Sequence, residues 1–411
     1  MGTHIIEERL DWRRWVTPKP LEETPIHRWY VFPHSFSSEL VHDLIDEWGL
    51  CHEDRILDPF AGAGTTILAA KEKGIPATGY DLSPLAILAA RAKITNFNRP
   101  RLQKTSNLLE DNLNPTSWNG HSRVYPCLVE EALPGPLLGA FETISKQIDM
   151  LKCPDSERDL FRLALLVTLP KYSRLVATGG WLQWSRKHKR IRTLPRVFVE
   201  QIDRMLSDLR QTHLNRERQW NVCISDARRL PDPDGKYAAV ITSPPYPNRH
   251  DYTRVFGVEL MFGFLNWQQT RRLRYQSFHS HPEAHPTRPD SDGYTSPLRL
   301  KRALTRIKKA GSDPRVLRML EGYFLDMYLC LREMSRVCRD RAKIAVIVGN
   351  AQYSGEPVLV DQLTAEIGEQ AGLSCEHLLV TRYRGNSAQQ MARFGRNQSR
   401  ETVVVFKRPR R

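Results

Sequence analysis

Two short segments of this 411-residue chain concentrate residue types that can do chemistry. The first is Asp58-Pro59-Phe60-Ala61-Gly62-Ala63-Gly64-Thr65-Thr66, which reads as a strand-to-helix junction. Gly62 and Gly64 let the backbone turn tightly and let a ligand approach where a Cβ would stand in the way. The helix start that follows offers free N–H groups to an anionic group, and Thr65 and Thr66 are placed to cap it. A carboxylate, Asp81, arrives at the end of the next strand, 23 residues after Asp58. In a doubly wound sheet that position faces a ribose held at the switch point. The second segment is Ser243-Pro244-Pro245-Tyr246, directly after an apolar strand. Consecutive prolines form a rigid, extended step without N–H donors. A hydroxyl, a fixed carbonyl and an aromatic ring can together hold an amino group and stack on the planar ring that carries it.

A bare Gly-x-Gly is also what any tight βα turn contains, and dinucleotide binding is a competing use. The pyrophosphate pattern GxGxxG is absent, because Thr65-Thr66-Ile67 follow Gly64, and no Gly-Lys-Ser/Thr of a P-loop occurs there.

The elements that position these residues follow from periodicity. Leu40, Val41, Leu44, Ile45 and Trp48 recur at helical spacing over 37–50, with Ser37 or Ser38 as N-cap. Strand 55–57, a helix through about 73, strand 76–80 and helix 84–97 make a β-α-β-α run, the opening of a parallel doubly wound sheet. The pattern then breaks. Residues 99–135 are polar, and 136–175 and 194–214 read as helices around the basic, aromatic stretch 179–192. Strands resume at 221–226 and 237–242. Residues 247–312 read as a long charged loop, 314–338 and 358–371 as helices, and 343–349, 375–383 and 402–407 as strands. The expected division is a catalytic domain formed by 1–98 and 221–411, a mainly helical insertion at 99–220 that is the candidate recognition region, and a loop insertion at 247–312 near the active site.

The formal net charge of +15 suits a polyanionic partner, since each Lys or Arg that neutralises a phosphate releases counterions. Charge alone also fits a basic protein with no such role. Seven cysteines without a CxxC pair argue against a disulfide framework and a structural zinc site, and suit a reducing, cytoplasmic setting. The first residues lack the apolar stretch of a secretory signal. No apolar run approaches the roughly 20 residues that span a bilayer, so no membrane partner is expected.

DPFAGAGTT followed by SPPY resembles the amino-methyltransferase family of DNA modification enzymes, the N4-cytosine and N6-adenine methylases. The resemblance extends to Gly79-Tyr80-Asp81-Leu82-Ser83-Pro84, to Ser225-Asp226-Ala227-Arg228 and to the loop Tyr30–Phe36 before the glycine turn. It implies a Rossmann-like class I methyltransferase fold, an α/β architecture with a seven-stranded, mostly parallel sheet whose last strand, ETVVVFKR, is antiparallel. It implies S-adenosyl-L-methionine as cofactor. Asp58, Phe60, Ala61, Gly62, Gly64, Thr65 and Thr66 would line its methionine part. Asp81, with Leu82 and Ser83, would meet the ribose, and Asp226 and Ala227 the adenine. Ser243, Pro244, Pro245 and Tyr246 would be the catalytic group that holds a flipped base. Within the family SPPY tends to accompany cytosine N4 and DPPY adenine N6, which favours cytosine. The alternatives are N6-adenine methylation, RNA amino-group methylation, or a non-catalytic DNA-binding scaffold. A restriction-endonuclease or phage-defence partner is compatible with activity.

Further residues suit DNA. Trp181, Trp184, Arg186, Lys187, Lys189 and Arg190 could stack on bases and grip phosphates, although a solvated basic loop would read the same. Arg393 and Arg396 flank a glycine just before the last strand, where a turn would also explain them. His279, His281 and His285 lie among prolines at irregular spacing, and no metal site is expected from them.

Overall fold

A computed structural model describes residues 4–113, 121–178, 181–185, 193–212, 214, 219–385, 395 and 398–410. The chain runs through β1 (Ile6–Glu8), α1 (Ser38–Glu47), β2 (Ile56–Asp58), α2 (Thr65–Glu72), β3 (Ala77–Asp81) and α3 (Pro84–Ile94). Then come α4 (Arg99–Asp111), α5 (Cys127–Ala132), α6 (Pro136–Met150), α7 (Asp155–Tyr172), the hairpin β4 (Leu175–Thr178) and β5 (Trp181–Trp184), and α8 (Leu194–Gln211). The sheet resumes with β6 (Trp220–Ile224) and β7 (Tyr237–Thr242). It is followed by α9 (Tyr252–Val255), α10 (Gly257–Gly263), α11 (Trp267–Gln276), α12 (Leu298–Lys309) and α13 (Pro314–Val337). The chain closes with β8 (Cys338–Gly349), β9 (Ala351–Tyr353), β10 (Glu356–Val358), α14 (Val360–Gln370), β11 (Ser374–Gly385) and β12 (Gln398–Lys407).

The main sheet has the order β1-β11-β12-β8-β7-β2-β3-β6. It is parallel except for β12, which pairs antiparallel with both β11 and β8. The order reverses between β2 and β7, so the ends of those strands open at the switch point, where α/β sheets hold ligands. Among the described residues the sheet has eight strands, not the expected seven. The addition is β1, whose three residues pair in parallel with Leu378–Val380 at one edge. A strand of three residues, exposed throughout, carries no apolar alternation by which its sequence could announce it.

Side chains alternate across the sheet and feed two apolar layers. Ile56, Ala239, Ile241, Ala345 and Ile347 face one layer; Leu57, Val240, Ile344, Val346 and Val348 face the other. The first layer continues without a break into α7 and α8, where Leu163, Leu166, Phe198, Ile202 and Met205 are buried at helical spacing. The second is built on α13, from Met319 through Met334.

Three local expectations are corrected. Residues 247–312 are not one loop: α9, α10, α11 and α12 lie there, including the capping box Asn266/Gln269 that starts α11. In α12 a charged outer face masks the apolar positions: Leu300, Ala303 and Ile307 are buried among Lys and Arg. The polar interval 99–135 likewise holds α4 and α5. Thr65 and Thr66 do not cap α2. Gly64 is the N-cap residue at φ +83°, and the Thr66 hydroxyl donates to the Ile241 carbonyl (3.2 Å), tying α2 to β7.

Candidate functional site

A cleft of about 170 Å³, open on one side, lies over the ends of β2, β3 and β7. Asp58, Phe60, Ala61, Gly62, Thr65, Asp81, Leu82, Ser83, Asp226, Ala227, Ser243 and Pro245 all line it. Thr66 stands behind the lining, in the first turn of α2, and Gly64 behind it at the turn. Gly64 has to be glycine: a Cβ there would stand 2.7 Å from the Ala90 Cβ, and its φ is left-handed. At Gly62 (φ +49°) a Cβ would stand 3.3 Å from the Phe32 ring, which covers the turn from the N-terminal side.

Two carboxylates frame the cleft. Asp58 Oδ1 accepts from the Phe60 N–H (3.1 Å) and from the Thr242 hydroxyl (2.6 Å). Burial pushes its carboxyl up to about 6, against the pull of those hydrogen bonds. Asp81 accepts the Gly62 N–H (3.0 Å) on one oxygen and the Ser83 N–H (2.8 Å) on the other. Burial raises its pKa too, opposed by the same backbone donors. Thr242 immediately precedes Ser243, so the Thr242–Asp58 bond fixes the SPPY step against the glycine turn.

At that step the Ser243 hydroxyl donates to the Ile347 carbonyl of β8 (3.2 Å). Its proton is thereby committed, and the oxygen's remaining lone pairs are what it offers the cleft. Pro244 is buried, and Tyr246 sits outside the cleft lining. The Tyr246 ring lies over Gly349, where an added Cβ would come within 2.9 Å of it, beside the Arg384–Glu401 ion pair (3.0 Å).

Three contributors escaped the sequence reading. Tyr252, Phe256 and Phe278 line the cleft from the segment expected to be a loop, and Phe256 stacks on Phe32 at 4.8 Å. Arg228, 2% exposed, holds Asp226 by three side-chain bonds (2.9, 3.2 and 2.7 Å) and pairs with fully buried Asp326 on α13 (3.2 Å). The N-terminal loop is bolted down from the insertion. Asp208 on α8 accepts from Ile26 N (2.9 Å), Arg28 Nε (3.0 Å) and Trp29 Nε1 (3.0 Å), while Lys93 donates to the Tyr30 carbonyl (2.6 Å). No motif announces an aspartate on one helix as the anchor of a loop 180 residues earlier.

Trp181 and Trp184 lie exposed on β5, with Arg254 5.2 Å over the Trp181 ring. Arg186, Lys187, Lys189, Arg190, Arg393 and Arg396 lie outside the described residues. His279 Nδ1 accepts from Arg288 (2.7 Å) and His281 Nε2 meets Ser277 (2.9 Å). Among the described residues no group of three or more candidate metal ligands occurs, and no helix is long and apolar enough to cross a membrane.

The sheet order, the antiparallel β12 and the glycine turn facing two carboxylates define an S-adenosylmethionine-dependent methyltransferase of the Rossmann-like class. Residues 10–91 match the family model described as DNA methylase, N6_N4_Mtase. The Type II methyltransferase M.BsoBI of Geobacillus stearothermophilus is 28% identical, over 99% of this chain and 90% of that protein. The Type II methyltransferase M.AvaI of a Nostoc species is 28% identical, over 97% and 89%. Among solved structures, a SAM-dependent methyltransferase from Methanosarcina mazei spans 90% of this chain and 98% of its own at 9% identity, with a TM-score of 0.31. That likeness is too distant to add to the sheet order. The family match and the Type II likenesses support S-adenosyl-L-methionine-dependent DNA methylation of the kind carried out by Type II amino-methyltransferases.

The cleft fits that cofactor. A turn that tolerates no Cβ and two preorganised carboxylates meet in one enclosure. Asp58 and the turn suit an amino-acid end, and Asp81 suits a diol.

Proposed function

We propose that this enzyme methylates the N4 amino group of cytosine, with Ser243, the Pro244 carbonyl, Pro245 and Tyr246 holding the target base. The supporting observation is the Ser243 hydroxyl, which donates to the Ile347 carbonyl and so turns acceptor lone pairs toward the cleft. An amino group can donate to that oxygen and to the Pro244 carbonyl. Both contacts gather electron density on nitrogen and orient its lone pair. A neutral hydroxyl does so without adding a third carboxylate beside Asp58 and Asp81, whose charges burial already disfavours. Bound S-adenosylmethionine supplies the electrophilic methyl group. Asp58, Phe60, Ala61, Gly62, Gly64, Thr65 and Thr66 are proposed to hold its methionine part, Asp81, Leu82 and Ser83 the ribose, and Asp226 and Ala227 the adenine. Arg228 fixes Asp226 for that contact. The base reaches the site by leaving the stack, and alignment of the reacting atoms contributes several kcal/mol.

No nucleophilic cysteine is required. Residues 99–220, with Trp181 and Trp184, are the proposed recognition region, and the association of relatives with Type II systems makes a cognate restriction endonuclease the partner to look for. Expression in a methylation-free host, followed by sequencing that reports both marks, tests the base assignment. N4-methylcytosine is expected. N6-methyladenine would replace the base assignment, and a C5 mark would contradict the amino-group mechanism.

A further inference from the structure

A second cavity, of about 390 Å³, lies beside the cofactor cleft and shares only Phe256 with it. The volume falls in the range of small-molecule sites, about 300–1,000 Å³. Its walls are mostly apolar, with Val31, Val167, Leu169 and Val258, and the Tyr30 and Phe256 rings close the side toward the cleft. The hairpin that carries exposed Trp181 and Trp184 forms another side through Leu175, Ala177 and Leu182.

Two acids stand in this lining, exposed Glu22 and buried Glu259. Glu259, on α10, is 7% exposed, and no side-chain hydrogen bond or ion pair engages its carboxyl among the described residues. Burial lifts that carboxyl to about 7, with only its own backbone N–H opposing. A buried acid without a partner is costly; of the basic residues in the lining, Arg28 is held by Asp208, and neither it nor Arg204 bonds the Glu259 carboxyl. Exposed Arg204 on α8 stands in the same lining.

We infer that this cavity is a second base pocket, which takes a guanine by its N1–H and N2–H₂ edge against the Glu259 carboxylate, with Arg204 meeting the attached phosphate. A carboxylate only accepts, and its two oxygens match two adjacent donors. Guanine presents that pair on its Watson–Crick edge. Adenine and cytosine present a donor beside an acceptor. The aliphatic and aromatic walls replace the stack that an extruded base gives up. The inference rests on DNA being the substrate. On the cytosine reading a guanine is always at hand, because extruding cytosine leaves its partner unpaired.

The test is isothermal titration of the full-length protein with GMP, IMP, AMP and CMP. Wild type should bind GMP saturably, and IMP, which lacks the N2 amino group, about tenfold more weakly. Glu259→Gln should weaken GMP at least tenfold and gain AMP, since an amide offers one donor beside one acceptor. Arg204→Ala should weaken GMP but not guanosine. Titration with S-adenosylmethionine reports whether each variant is folded. Equal binding of all four nucleotides, no saturable GMP binding at about 10 mM, or unchanged GMP affinity in a folded Glu259→Gln protein would overturn the inference. Methylation of DNA by a protein that fails this titration would leave the enzymatic reading intact and remove only the pocket.

Discussion

Two strand ends meet in the cleft, and they are chemical opposites. At the end of β2 the chain is rich in donors: the turn exposes backbone N–H groups, and two of them already hold the carboxylates, Gly62 for Asp81 and Phe60 for Asp58. At the end of β7 the chain is stripped of donors, with two prolines and a serine whose proton is given to Ile347. The Thr242–Asp58 bond at 2.6 Å and the Thr66–Ile241 bond at 3.2 Å lock the two together. The contrast explains how one enclosure holds two substrates without confusing them. The first end suits the charged amino-acid and ribose portions of a cofactor. The second has only acceptors left, which selects an amino group.

The comparison breaks most severely at the turn. Gly64→Val places a Cβ against Ala90 and forces a β-branched residue to φ +83°. A destabilisation of about 3 kcal/mol or more is expected from clash and strain together. Urea unfolding and cofactor titration should both register it, whereas Ser243→Ala should leave both unchanged. A stable Gly64→Val protein with normal cofactor affinity would refute the close-packed turn.

Asp58 separates stability from function. Its carboxyl titrates near 6 in the folded chain, against about 3.9 when unfolded. Between those values the folded protein keeps a proton that the unfolded chain releases. Stability therefore falls as pH rises from about 4 to about 6, and above 6 the buried charge costs on the order of 3 kcal/mol. Asn at position 58 can still accept from Phe60 and Thr242 through its single oxygen, because both bonds fall on Oδ1. Asp58→Asn should raise the Tm at pH 7.5, flatten the pH dependence between 4 and 6, and weaken cofactor binding. A lower Tm at pH 7.5 would mean that the carboxylate stabilises the fold.

A smaller effect is expected at Tyr246. Removing the ring with Tyr246→Ala should weaken capture of DNA about 10- to 100-fold, the size of one lost base stack, with cofactor affinity retained. An equal loss of cofactor binding would show that the two strand ends are not independent.

The sequence made the motif ends legible because they depend on local chemistry. Glycine, proline and aspartate at strand ends have few other uses, and alternating apolar residues marked most of the strands between them. What it concealed was long-range. The anchor from Asp208 to residues 26–29, the Arg228–Asp326 support behind Asp226, and the aromatic wall of Tyr252, Phe256 and Phe278 join segments far apart in the chain. Their residue types recur everywhere in a basic protein. Helix α12 was hidden for a related reason: its solvent face is so heavily charged that buried positions such as Leu300 and Ile307 do not stand out.

The central claim is that the β7 end handles the amino group while the β2 end handles the cofactor. Ser243→Ala tests it most directly, with the dissociation constant for S-adenosylmethionine and the single-turnover methylation rate measured on the same preparation. The account predicts a cofactor constant within about twofold of wild type and a rate about 10- to 100-fold lower, the loss of one contact that tightens as nitrogen begins to bond. A variant that methylates DNA as fast as wild type, or one whose lost rate is matched by lost cofactor affinity, would contradict it.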